Sequence, residues 1–219
     1  MLNFSMKCLL IGLLCASVKA EFRDSSINLL SIDPLIPEDI HINQGGDGPV
    51  QLNLTFTNSQ ILGLSKAVAK EFKGFGKDLA TKHELIFKVP RVTLVGNYAI
   101  SGKILILPVQ GEGTCNLTMV DSEYHVSFKG IPEEKDGNTF MKLTNFRLHP
   151  ETKLVIYKFD NLFNGDKVLG DTVNKFVNEN WKEVFDELRV PFDKSFGAVI
   201  KHIMDEVFNK YPYAKYFNE

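Results

Sequence analysis

The sequence predicts an α+β fold in which a highly curved antiparallel β-sheet wraps a long amphipathic helix. Three observations predict it. Apolar residues recur at three- and four-residue steps from Leu169 to Tyr211, which is helical spacing. Upstream, from about Pro49 to Phe163, the dominant period is two, which is strand spacing. Finally, the alternation from Val92 to Pro108 would reach roughly 55 Å as one extended run, at about 3.3 Å per residue. A sheet that curls needs a strand of that length, and a curled sheet over a helix can leave an apolar tunnel.

The helical region reads as two stripes. Leu169, Val173, Phe176, Val177, Trp181, Val184, Phe185 and Leu188 form the first. Phe192, Phe196, Val199, Ile200, Ile203, Met204, Val207, Phe208 and Tyr211 form the second. Asp171, Lys175, Glu179, Lys182, Glu183, Asp186 and Glu187 occupy the opposite face. Asp171 or Thr172 is expected to start the first helix. Pro191 lacks an N–H and crowds the preceding turn, so it is expected to kink or restart the helix between the stripes.

In the strand region, Gly45-Gly46-Asp47-Gly48-Pro49 reads as a turn, with no phosphate-loop spacing after it. Leu52, Leu54 and Phe56 then face one way, and Gln51, Asn53, Thr55 and Thr57 the other. Val92, Leu94, Tyr98, Ile100, Ile104 and Ile106 share a face with Gly96 and Gly102, where a curling sheet crowds side chains. Gly111-Glu112-Gly113 is expected to begin the return. Cys115, Leu117 and Met119 alternate, followed by Tyr124, Val126 and Phe128. Asp136-Gly137-Asn138 is a further turn before the run from Phe140 to Leu148. In the last strand Leu154, Ile156 and Lys158 alternate against Val155, Tyr157 and Phe159, so it is expected to be covered on both sides. Residues 62–84 give no clear period.

Residues 1–20 read as a cleaved signal peptide. Lys7 is a short basic region, Cys8 to Val18 an apolar one, and Val18-Lys19-Ala20 a cleavage site. About 11 apolar residues fall short of the roughly 20 needed to span a bilayer. Residues 21–219 are expected to form a single extracellular, secreted domain, without a linker or repeat inside it. The leader removes Cys8 and Cys15, leaving Cys115 as a buried small hydrophobe with no partner for an internal disulfide. It also removes Lys7 and Lys19, which takes the net charge two units below the −2 of the full chain. Basic residues are scattered, which argues against nucleic acid and against docking on anionic membranes. Asn53-Leu54-Thr55 and Asn116-Leu117-Thr118 are sequons on the wet faces of strands, so Asn53 and Asn116 are expected glycosylation sites.

Several short motifs occur in order from about residue 32 to the end. They begin with Asp33-Pro34-Leu35, Pro37, and Ile42-Asn43-Gln44-Gly45 with Gly48-Pro49-Val50. Val89-Pro90, then Leu94-Val95-Gly96-Asn97-Tyr98-Ala99-Ile100-Ser101-Gly102-Lys103-Ile104 through Pro108, and Gly111-Glu112-Gly113 follow. Asn161-Leu162-Phe163-Asn164-Gly165-Asp166, the run Asn174 to Trp181, and Tyr211-Pro212-Tyr213 complete the series. In these the chain resembles the insect takeout / haemolymph juvenile-hormone-binding protein family. The resemblance implies a sheet rolled around a helix, like lipid-transfer domains (a super-roll), with an internal tunnel for a small apolar ligand. It also implies a carrier role of the kind tied to juvenile hormone, feeding, circadian rhythm and chemosensory behaviour. Family members usually carry a longer N-terminal segment with two paired cysteines. Residues 21–31 hold no Cys, and Phe22, Ile27, Leu29 and Leu30 are their only apolar plugs. One tunnel end is therefore expected to be more open, with faster ligand exchange.

No enzyme motif stands out. His41, His83, His125, His149 and His202 are dispersed and form no H-E-x-x-H. Gly63-Leu64-Ser65-Lys66-Ala67 fails the nucleophile-elbow pattern at its last position. The expected function is non-enzymatic: a secreted carrier for a terpenoid, isoprenoid or fatty acyl ligand, juvenile hormone among them, with no cofactor or metal and with room for an unidentified receptor. The alternative is a secreted glycosylated interaction protein with a filled core and no ligand. The expected ligand-binding residues are Leu54, Phe56, Ile100, Ile104, Leu117, Met119, Phe140, Trp181, Phe185 and Ile200, in a cavity of at least about 300 Å³. Tyr98, Tyr124 and Trp181 are the expected polar donors.

Overall fold

The computed structural model describes residues 33–216, apart from residue 77. The leader and the segment 21–31 lie outside the described residues. Seven strands form one antiparallel sheet: β1 (Ile40–Gln44), β2 (Val50–Leu62), β3 (Val68–Lys73), β4 (Lys82–Ile104), β5 (Leu107–Lys135), β6 (Asn138–Glu151) and β7 (Leu154–Phe159). Two helices follow, α1 (Lys167–Glu179) and α2 (Trp181–Lys210).

The long hairpin β4–β5 is the spine. Along β4, β2 pairs with the half from Thr93 to Ile104 and β3 with the half from Glu84 to Lys88. Along β5, β7 takes Cys115 to Val120 and β6 takes Glu123 to Lys135. The main strand order is therefore β1-β2-β4-β5-β6. Its outermost strands, β1 and β6, both contact α2. A sheet whose two outer strands reach one helix has curled around it.

The inward register changes once along the spine. Leu85, Phe87 and Val89 are buried before Pro90, and Leu94, Tyr98 and Ile100 after it. On β5 the buried set passes from Cys115 and Met119 to Tyr124, Val126 and Phe128. The pairing skips Pro90 opposite Asp121, whose φ is +50°. One residue inserted on each strand at the same level restores facing on both sides, and Pro90 has no N–H to lose there.

The spine turns earlier than expected. Leu105 (φ +54°) and Ile106 form the hairpin turn, so Ile106 is 79% exposed and not on the inner face. Gly111 and Gly113 lie within β5 and do not begin the return. Their reason is close approach: a Cβ at Gly113 would sit 2.4 Å from the Asp160 carbonyl oxygen, where the chain leaving β7 crosses β5.

The helix boundaries also differ from expectation. Asp166 caps α1, its Oδ1 accepting from Val168 and Leu169 N–H at 3.0 Å each. Val168 and Leu169 are exposed, so Leu169, expected to open the first apolar stripe, faces solvent instead. The break between helices falls at Asn180, whose backbone N–H and side-chain Nδ2 both donate to the Phe176 carbonyl. Pro191 lies inside α2, which continues through it. In β7, Val155 and Phe159 are buried and Tyr157 half-buried, whereas Leu154 and Ile156 are exposed, so that strand is covered on one face only.

At the beginning of the described chain, the Asp33 carboxylate accepts from Gly63 N at 3.0 Å, Ser65 N at 3.1 Å and the Ser65 hydroxyl. Leu35, fully buried, then bridges to Ile61. This ties the Asp33-Pro34-Leu35 motif to the end of β2.

Candidate ligand cavity

Every layer of the fold contributes to one apolar cavity between the sheet and α2. Ile42 comes from β1, Leu54, Phe56 and Ile61 from β2, and Leu64 from the loop beyond. Phe87, Val92 and Leu94 come from β4, Leu117, Met119 and Tyr124 from β5, Leu148 from β6, and Val155 and Tyr157 from β7. Helix α2 closes it with Phe185, Leu188, Phe192, Phe196 and Ile200. The aromatic wall is interlocked. Phe87 and Tyr124 stack at 5.0 Å, Phe192 and Phe196 at 4.1 Å, and Phe185 meets Phe192 edge-on at 5.9 Å.

The cavity volume is about 100 Å³. That is room for about three waters' share of liquid volume, well under the expected 300 Å³. The large rings on α2 and Met119 occupy the space that the sheet's curvature opens. A drug-sized ligand therefore requires these side chains to swing aside.

Six of the ten residues expected at the site line this cavity: Leu54, Phe56, Leu117, Met119, Phe185 and Ile200. Four do not. Ile100 and Ile104 are buried in the main core toward the Leu105 turn. Phe140 is half-buried near the β5–β6 turn, opposite Glu133 and under the Lys135 ammonium. Its neighbours Met141 and Leu143 hold the inward register there, and the left-handed Asn145 (φ +50°) accompanies a register shift before Leu148. Trp181 packs with Met119, Val155 and Phe185, one layer behind the lining.

The expected polar donors are largely committed elsewhere. Tyr98 Oη donates to the Asp160 carbonyl at 2.8 Å, and burial pushes its pKa up to about 12. Tyr124 lines the cavity, but its hydroxyl points at Met119 Sδ, 3.8 Å away, and burial raises its pKa. Tyr157 is the lining residue with a polar tip that strand alternation alone did not single out; its pairing opposite Leu117 places it. Asn53 and Asn116 are both exposed on the outer face of the sheet.

A second, more open groove of about 980 Å³ carries mixed charge from Glu71, Lys73, Glu84, His125, Arg147, His149, Asp193 and Lys194. Among the described residues, no group of three or more His, Cys, Asp or Glu could hold a metal ion.

Comparisons with known proteins agree with this geometry. The chain is similar to the circadian clock-controlled protein daywake of Drosophila melanogaster, at 24% identity over 86% of this chain and 75% of that one. The Drosophila yakuba daywake protein is 22% identical over 85% of this chain and 74% of its own. Among solved structures, Takeout 1 of Epiphyas postvittana superposes with a TM-score of 0.79 at 24% identity, covering 98% of this chain and 94% of that one, which shows the same fold. Residues 24–218 match the family described as haemolymph juvenile hormone binding protein. That family consists of carriers of hydrophobic ligands and is not enzymatic. With its rolled sheet and helix-closed apolar cavity, this chain belongs to the haemolymph juvenile hormone binding protein family.

Proposed function

We propose that this protein is a secreted carrier that holds a small lipophilic ligand of terpenoid, isoprenoid or fatty acyl type, juvenile hormone included, in the cavity between its sheet and α2. The observation that carries the reading is the lining itself. All 19 lining residues are aliphatic, aromatic or Met, with tyrosine hydroxyls as the only polar side-chain groups. Each CH₂ moved from water into such a lining contributes roughly 0.8 kcal/mol. Secretion follows from the leader reading, and no described helix is long and apolar enough to cross a membrane. N-glycans on Asn53 and Asn116 would project from the outer face, away from the cavity.

The small cavity favours one competing reading, an interaction protein with a filled core. The two separate in a titration of delipidated protein followed by Trp181 fluorescence. Trp181 is the only tryptophan and packs against the lining residues Met119, Val155 and Phe185. The carrier reading expects saturable quenching by at least one isoprenoid or acyl compound and a co-purifying lipid by mass spectrometry. Neither signal from protein secreted by insect cells would leave the filled-core reading.

A further inference from the structure

We infer that the cavity is a dry gap between two hydrophobic clusters, sized for a compact neutral hydrocarbon of about five or six carbons, and that Phe192 sets the length of ligand it accepts. This rests on the carrier reading and specifies its ligand class.

The gap lies where two packed clusters meet. Leu54, Phe56, Phe87 and Leu188 on its lining belong to the main core. Met119, Val155 and Phe185, also on the lining, form a separate small cluster with Trp181 packed against it. Tyr157 and Phe192 pack against both clusters. Phe192 is held further by Phe196, stacked at 4.1 Å, and by Phe185, edge-on at 5.9 Å. The lining has no charged residue, and its only hydroxyls are those of Tyr124 and Tyr157. The Tyr124 hydroxyl is turned to Met119 Sδ.

A buried water needs about two to four polar partners. This lining offers at most the Tyr157 hydroxyl, so hydrocarbon is favoured over water. A carboxylate would lose its hydration with no cation in the lining to replace it. Size narrows the class further. An apolar cavity of about 150 Å³ lined by Leu, Ile and Phe binds benzene. This one has the same chemistry and a volume of about 100 Å³. A ring of that size needs a small shift of Met119, whose unbranched thioether adapts readily, and a branched unit of about five carbons needs less. A longer chain must displace Phe192 as well, and with it the contacts that Phe192 makes to both clusters.

The test titrates the delipidated full chain with benzene, isoprene, 1-decanol and decanoic acid, by calorimetry and by Trp181 fluorescence. Benzene and isoprene are expected to bind saturably, and the two longer probes more weakly than benzene by about tenfold or more. Xenon NMR of the unaltered protein should also report a saturable apolar site, whatever the variants do. Phe192→Ala should tighten 1-decanol by about tenfold or more, the effect of about two newly buried methylenes, and Phe192→Leu by less. Ile200→Phe, which adds bulk to the lining from α2, should abolish benzene binding. Decanoic acid should stay the weaker of the two longer probes throughout. If 1-decanol or decanoic acid binds the unaltered protein as tightly as benzene, this inference is overturned and the carrier reading stands. The same holds if Phe192→Ala still binds benzene but gains nothing for 1-decanol. If no probe binds saturably, xenon included, the carrier reading fails and this inference with it.

Discussion

The side chain of Asn174 grips both backbone hydrogen-bonding groups of Phe159: its Oδ1 accepts from Phe159 N at 2.9 Å and its Nδ2 donates to Phe159 O at 2.8 Å. Asn178 repeats the grip on Tyr157, at 2.9 and 2.7 Å. Four helical residues rise about 6 Å and two strand residues about 6.6 Å. The two repeats therefore match, and asparagines four apart on α1 copy the edge of an absent strand. β7 pairs with β5 on its other side, so these amides satisfy and cover its free edge.

Replacing Asn174 or Asn178 by Ala leaves an N–H and a C=O of β7 unpaired beside a helix. Each substitution is expected to lower stability by about 1–3 kcal/mol. Urea titration should show a lower midpoint with an unchanged m-value. Asn174→Asp should be no milder, because it keeps the acceptor but sets a second oxygen against the Phe159 carbonyl.

Acid sensitivity is expected to centre on His83. It is fully buried, its ring 5.0 Å from Phe128 and 5.1 Å from Phe75, with Nε2 2.9 Å from the Leu79 carbonyl. Burial holds its pKa below the ordinary 6.5, and the Leu79 carbonyl opposes that only in part. The unfolded chain binds the proton more readily than the fold does. Its stabilisation is therefore complete above pH 6.5 and is lost as pH falls from there through the depressed folded value. The urea midpoint should drop from pH 7 to pH 5, and His83→Phe should flatten that slope. An identical slope in the variant would place the acid loss in another group.

Cys115 should be inert in the native protein. It is buried, and burial pushes its thiol pKa up to about 12, so little reactive thiolate exists at pH 8. In a chain lacking residues 1–20, an aromatic disulfide reagent is expected to label one thiol per chain in denaturant and none in buffer. Fast labelling of the folded protein would contradict the burial of that strand face.

The period-two and helical patterns carried the architecture because both faces of each element differ in polarity. Leu54, Phe56, Leu117 and Met119 were legible at the site for that reason. Phe140 was not, because the left-handed Asn145 and the register shift near it change which residues of β6 face inward, and alternation by itself does not reveal such a bulge. Ile106 read as strand because it continues the alternation, although Leu105 in the left-handed region had already turned the chain. Pro191 is a strong local breaker, yet packing of α2 on the sheet overrides it, and the break sits at Asn180. Tyr157 depends on the pairing of β7 with β5, and spacing along the chain does not report that.

Helix α2 is fastened to both rims of the curled sheet within one turn. Ser195 Oγ donates to the His41 carbonyl of β1 at 2.7 Å, and Asp193 Oδ2 lies 3.0 Å from His149 Nδ1 of β6. Phe192 and Phe196, which flank this turn, line the cavity and fill part of it. A ligand larger than about 100 Å³ must displace those rings, so the turn from Phe192 to Phe196 is the natural place for the wall to open. Each fastening contributes about 1 kcal/mol, and losing one raises the open population about fivefold. Ser195→Ala and Asp193→Asn are expected to speed association and dissociation of a saturating probe together, by severalfold each, with little change in Kd. Closed and open states exchange faster, but the bound contacts are the same. Stopped-flow fluorescence of Trp181 measures both rates. Unchanged rates in the double variant would move the entry point away from α2.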